Sequence, residues 1–101
     1  MSKLESESQK EIMDEIRRRY PGCMILKNDS GYIQGIPDWT ILYKKKWAVL
    51  EAKRNAKATH QPNQDYYVEQ LNKMSYSSFV YPENKDEVLN QLSKVFGKPK
   101  I

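Results

Sequence analysis

Apolar residues recur at Ile12, Met13, Ile16 and Tyr20, three and four positions apart, until the breaker pair Pro21-Gly22 ends the series. That spacing predicts a helix from residue 4 to about 20. Counting back along the same stripe reaches Gln9 and then Glu5, with Glu7 on its flank. CMILK (23–27) predicts a first strand, and the following NDSGYIQGIP carries turn chemistry at Asn28, Asp29, Ser30, Gly31, Gly35 and Pro37. DWTILY (38–43) and KWAVLEAK (46–53) predict two more strands joined by a lysine-rich hairpin turn. The polar run RNAKATHQPNQ reaches Pro62, which suits the first turn of a helix over about 63–74 with Tyr67, Leu71 and Met74 facing inward. SSFVYP supplies a fourth short strand, and DEVLNQLSKVF a closing helix punctuated by Gly97 and Pro99. The predicted order is α-β-β-β-α-β-α, without internal repeats, as a single α/β domain over 1–101.

Three charged residues break this pattern. Asp38, Glu51 and Lys53 stand within strands that otherwise conserve their apolar positions. Glu51 and Lys53 project from one face of the third strand with Trp47 and Val49, because side chains alternate. Asp38 opens the preceding strand, and antiparallel pairing brings the start of that strand to the end of the next. Two carboxylates and an amine then share one strand edge. Two readings fit: an ion pair in which Lys53 neutralises Glu51 or Asp38, or a divalent cation between the acids, with Lys53 acting on a water or a phosphate.

Composition narrows the choice of partner more than of fold. The chain of 101 residues is 39% hydrophobic and 30% charged, with a mean hydropathy of -0.85, as suits a soluble protein with one modest core. No stretch has the run of about 20 apolar residues that crosses a membrane, and MSKLESESQKE lacks the apolar segment of a secretory signal. Cytoplasmic residence is the expectation. Cys23 and His60 each stand alone, which excludes a Cys/His zinc set within one chain, and Cys23 in its apolar run reads as an inert thiol. The net charge of +4 and pI near 9.1 favour a polyanion partner, although Arg17-Arg18-Arg19 and Lys44-Lys45-Lys46 read equally as solvated faces.

Pro37-Asp38 followed by Glu51-Ala52-Lys53 resembles the PD-(D/E)XK nuclease signature, and the wider sequence is similar to the stand-alone VRR-NUC branch of that superfamily. The resemblance runs in order along nearly the whole chain: Glu5 to Gln9, Asn28 to Gly31, Gly35 to Asp38, Glu51 to Lys53, Gln64, and the FVYP strand. It departs from the family at Met74-Ser75-Tyr76, where glycine is common.

The resemblance implies a restriction-endonuclease-like core, a mixed central sheet flanked by helices. It also implies metal-dependent hydrolysis of DNA, with Mg²⁺ or its substitute Mn²⁺ held by Asp38, Glu51 and the Ala52 carbonyl. Lys53 would act on the nucleophile or phosphate, Glu5 (or Glu7) and Gln9 would reach the site from the first helix, and Gln64 from the second. Stand-alone relatives resemble Holliday junction resolvases, which implies a homodimer acting on four-way junctions in phage or mobile-element DNA within the host cytoplasm. Flap or duplex cleavage, and a non-catalytic DNA-binding module, remain open. Lys44, Lys45, Arg54 and Lys57, with Ser30, are expected to grip phosphates. Trp39, Tyr43, Phe79 and Tyr81 are assigned either to a dimer surface or to the core.

Overall fold

In the computed structural model, which describes residues 5–100, α1 (Glu5–Arg19) leads into the strands β1 (Met24–Lys27), β2 (Trp39–Tyr43) and β3 (Lys46–Ala52). α2 (Gln64–Met74) then returns the chain to β4 (Ser77–Val80), and a 3-10 turn (Pro82–Asn84) runs into α3 (Lys85–Phe96). Strand order in the sheet is β1-β2-β3-β4. The first two pairings are antiparallel and β3–β4 is parallel, as the helical crossover through α2 requires. The order α-β-β-β-α-β-α and the mixed sheet flanked by helices match the sequence expectation.

One face of the sheet is closed. Ile41, Tyr43, Ala48, Leu50, Ala52 and Val80 form its floor, and Ile12, Met13, Ile16 and Tyr20 of α1 pack over it with Val88, Leu89, Leu92 and Phe96 of α3. The rings of Tyr20, Tyr43 and Phe96 meet at 5.2 to 5.7 Å between centroids, tilted or edge-on, as aromatic quadrupoles favour. Gly22, at φ +90, turns the chain out of α1. Glu15 accepts hydrogen bonds from Arg18 (2.6 Å) and Arg19 (2.9 Å), and Asp14 from Arg17 (3.1 Å), so the arginine run is spent along its own helix. Among the described residues no helix is long and apolar enough to cross a membrane.

The other face is half covered. α2 lies over β3 and β4, with Leu71 beside Val49 in a cleft of about 440 Å³ that also meets the loop after β1. Tyr67 and Leu71 are half-buried as expected, but Met74 is 70% exposed. The helical period holds for Tyr67 and Leu71, and Met74, the last residue of α2, faces out before Ser75 ends the helix. Among the described residues no helix covers β1 and β2 on this face. The register aligns Met24 with Leu42 and Leu26 with Thr40 there, and Met24, Leu26 and Leu42 are 60%, 42% and 36% exposed. The exposed apolar surface is therefore not made by the four aromatics. Tyr43 is core, Trp39 packs against the core, and Phe79 and Tyr81 are half-buried.

Candidate active site

β3 ends in five consecutive buried residues, Ala48 to Ala52, and buried Lys53 follows directly. Alternation sends Ala48, Leu50 and Ala52 into the core, and Val49, Glu51 and Lys53 to the α2 side. Glu51 is 4% exposed and Lys53 8%, an unusual depth for either residue type.

Asp38 sits where antiparallel pairing predicts. The Trp39–Leu50 pairing extends to place Asp38 beside Glu51, and the Asp38 backbone N–H donates to Glu51 Oε1 at 3.1 Å. Asn28 fixes the approach. Its amide donates to the Pro37 carbonyl and to Thr40 Oγ1, each at 2.8 Å, and its backbone N–H donates to the Asp38 carbonyl at 2.7 Å. Gly35 adds a second constraint. At φ +90, a Cβ there would lie 2.5 Å from Asn63 Cβ and 2.7 Å from the Pro62 carbonyl, so only glycine lets the turn before Asp38 press against the start of α2. Gln64, the first residue of α2, is thereby carried into the interior at 8% exposure.

Each acid of the pocket has one lysine near it, yet Glu51 is not fully compensated. The Glu51 carboxyl is pushed up to about 7, first by burial and then by the neighbouring Asp38 carboxylate, with Lys53 opposing both. Lys53 Nζ stands 4.0 Å from Glu51 Oε2 and donates to the Thr59 carbonyl at 3.1 Å. Lys27 Nζ, 3.3 Å from Asp38 Oδ1, supplies the other nearby cation and also lies over the Trp39 ring. The plain ion-pair reading thus leaves a buried acid that resists ionisation, and additional positive charge would stabilise its carboxylate.

The donor set suits a hard divalent ion. Among the described residues no three of His, Cys, Asp and Glu gather as a full cage. Two carboxylates lie together, and a carbonyl turns toward their side of the strand. The Lys53 amide turns to β4, donating to the Val80 carbonyl at 2.8 Å, so the Ala52 carbonyl of the same trans peptide turns to the β2 side, where Asp38 lies. Two or three oxygen ligands, with water completing the shell, is the coordination Mg²⁺ accepts.

The helix contribution is less complete. Ser8, Glu11 and Ile12 share a cleft with Arg54 and Asn55, so the early turns of α1 lie at the Lys53 end of the sheet. The Glu5 side chain lies outside the described residues; Gln9 is half-buried and Glu7 is exposed. Gln64 Oε1 accepts the Gln61 backbone N–H at 2.8 Å, a local bond that shapes the loop before α2.

Of the residues expected on DNA, Arg54 directly follows Lys53 and Lys57 lies four residues beyond it, both exposed, and Ser30 is exposed in the loop after β1. Lys44 and Lys45 are not brought to the site. They occupy the hairpin at the opposite end of β3, roughly 25 Å away at the rise of a strand. Cys23 is half-buried, and burial pushes its thiol up, away from reactivity. Sequence reasoning missed Lys27 and the surroundings of His60. The ring of His60 stacks on Phe79, 4.0 Å between centroids, and its Nδ1 lies 2.8 Å from Asp65 Oδ1.

No family model and no curated protein matches the sequence. The fold is similar to a solved structure described as a VRR_NUC domain protein, with a TM-score of 0.67, covering 93% of this chain and 91% of that one at 19% identity. The chain has the VRR-NUC fold.

Proposed function

We propose that this protein is a metal-dependent DNA endonuclease, and specifically a Holliday junction resolvase acting as a homodimer in the cytoplasm. The observation that carries the reading is the convergence of Asp38, Glu51 and Lys53, with the Glu51 carboxyl pushed up to about 7 by burial and by Asp38 although Lys53 stands 4.0 Å away. A carboxylate buried beside another acid, where its ionised form is disfavoured, is more typical of functional sites than of pairs that serve stability alone.

Asp38, Glu51 and the Ala52 carbonyl would hold Mg²⁺, or Mn²⁺ in its place. A divalent ion supplies Lewis-acid charge to a phosphodiester and makes nearby water easier to deprotonate. Lys53, with three N–H donors, gives one to Thr59 and keeps others for the attacking water or the developing charge on phosphorus. Arg54 and Lys57, exposed just after Lys53, would contact phosphates, giving binding that falls with salt and follows shape over sequence.

A homodimer fits the uncovered half-sheet of Met24, Leu26 and Leu42, since two sites related by two-fold symmetry are what a symmetric junction requires. The test compares a four-way junction, a flap and a linear duplex with Mg²⁺. Paired symmetric cuts in the junction, at least about tenfold faster than cleavage of the others, are expected. Equal cutting of all three makes the protein a general nuclease, and binding with no cutting makes it a DNA-binding module.

A further inference from the structure

Lys53 is held from two directions, and one of them leads away from the acids. Its Nζ donates to the carbonyl of Thr59, and Thr59 is joined by one peptide bond to His60. His60 is itself fixed twice over. Its ring lies 4.0 Å from that of Phe79 with an interplanar angle of 18°, and its Nδ1 is bonded to Asp65 Oδ1 at 2.8 Å in the first turn of α2. Phe79 is the Cα partner of Glu51 across the parallel β3–β4 pair, so it shares Glu51's face of the sheet, about 4.8 Å away. The run from Thr59 to Gln64 therefore forms a bracket, footed on β4 through Phe79 and on α2 through Asp65, that presents one backbone carbonyl to Lys53.

We propose that His60 is a positioning residue for Lys53: its clamp between Phe79 and Asp65 sets the Thr59 carbonyl and through it the place of the ammonium. The inference rests on the nuclease reading above and assigns that site a further residue. A lysine side chain has four rotatable bonds and a compact charge, so it gains most from an external fix. The 54–63 loop is polar; the Gln61–Gln64 bonds, the Asn63 amide on the Gln34 carbonyl and the press of Gly35 on Pro62 and Asn63 hold its end, while the stack and the Asp65 bond, both through His60, are the ties next to Thr59. Loss of the stack would let the Thr59 carbonyl drift, and displacements of an ångström at a reacting group cost up to about 100-fold in rate.

The experiment measures kcat, KM and the reductive methylation of Lys53 by formaldehyde and borohydride, read by mass spectrometry with the other lysines as internal reference. His60→Ala is expected to lower kcat by about 10- to 100-fold with KM within about threefold. It should raise Lys53 methylation at least about fivefold, because the ammonium at 8% residue exposure is released. His60→Phe, which keeps a flat ring over Phe79, should recover kcat to within about fivefold of wild type and keep Lys53 protected. Asp65→Ala changes a side chain that is 76% exposed and should lower kcat by about two- to fivefold, deciding the matter alone if His60→Ala fails to fold. An active wild type with His60→Ala and Asp65→Ala unchanged in kcat and Lys53 methylation overturns the inference and leaves the nuclease reading standing. A loss that falls on KM with Lys53 still protected also overturns it. A wild type that cuts no DNA with Mg²⁺ overturns the nuclease reading, and this inference with it.

Discussion

Adjacent residues of β3 face two different worlds. Leu50 points into the closed face and is fully buried among α1 and α3; Glu51 points to the α2 side and is buried at 4% among Asp38 and Lys53. Both are inaccessible, yet burial stabilises the first and penalises the second. The closed face is what a small α/β domain needs to fold, and the acidic pocket is what it maintains at a cost. The difference separates residues that hold the molecule together from residues held in place by it.

The largest effects should fall on the pocket without touching the fold. Glu51→Ala and Lys53→Ala are expected to reduce DNA cleavage by at least about 1,000-fold, with junction binding within about threefold of wild type in a mobility-shift assay. Leu50→Ala should do the reverse, lowering unfolding free energy by about 3 kcal/mol in a urea titration while the folded fraction still cuts. A Leu50→Ala protein that folds normally but loses activity would break the division between faces.

Titration sharpens the same contrast. The Glu51 carboxyl is raised from 4.5 to about 7 in the folded state, so in the metal-free protein the folded form binds more protons than the unfolded form between those values. Stability is therefore fully present below about pH 4.5 for this group and is lost as pH rises through about 7. A decrease on the order of 2 kcal/mol between pH 5 and pH 8 is expected, and Glu51→Gln should remove it and match or exceed wild-type stability at pH 8. Added Mg²⁺ should restore stability more at pH 8 than at pH 5, seen as a larger rise in Tm. The closed face contributes no such dependence.

Smaller effects come from supports of the pocket. Asn28→Ala removes the amide that ties Pro37 and Thr40 together and should cost about 1–2 kcal/mol in stability, with a cleavage loss of about tenfold. Least affected should be the hairpin: Lys44→Ala with Lys45→Ala changes junction affinity by less than about twofold. Arg54→Ala and Lys57→Ala, beside the site, should each weaken binding severalfold and lower the salt slope by about one.

The fold was legible because its signals are local. Helical spacing at Ile12 to Tyr20, alternation in β2 and β3, and breakers at Pro21-Gly22 and Gly97 each act within a few residues. Met74 failed the same test because periodicity tells which side of a helix faces inward, not whether its last residue is covered. The meeting of Asp38 and Glu51 was legible because a tight antiparallel hairpin fixes register once its turn is known. Lys27, Asn28 and His60 were not, since their roles depend on loop paths that bring β1 to the Pro37 turn and the 54–63 segment back over Phe79. The lysine run shows a further limit: Lys44 and Lys45 look like a phosphate grip in sequence, and only the strand's length reveals that they stand at the end of β3 away from the acids.

The most direct measurement is anomalous diffraction from a crystal soaked in Mn²⁺. An anomalous peak about 2.0–2.3 Å from carboxylate oxygens of both Asp38 and Glu51, with the Ala52 carbonyl in the same shell, is the predicted result. No peak at saturating Mn²⁺, with Lys53 closed directly onto Glu51, would contradict the account and leave the acids as a structural ion pair.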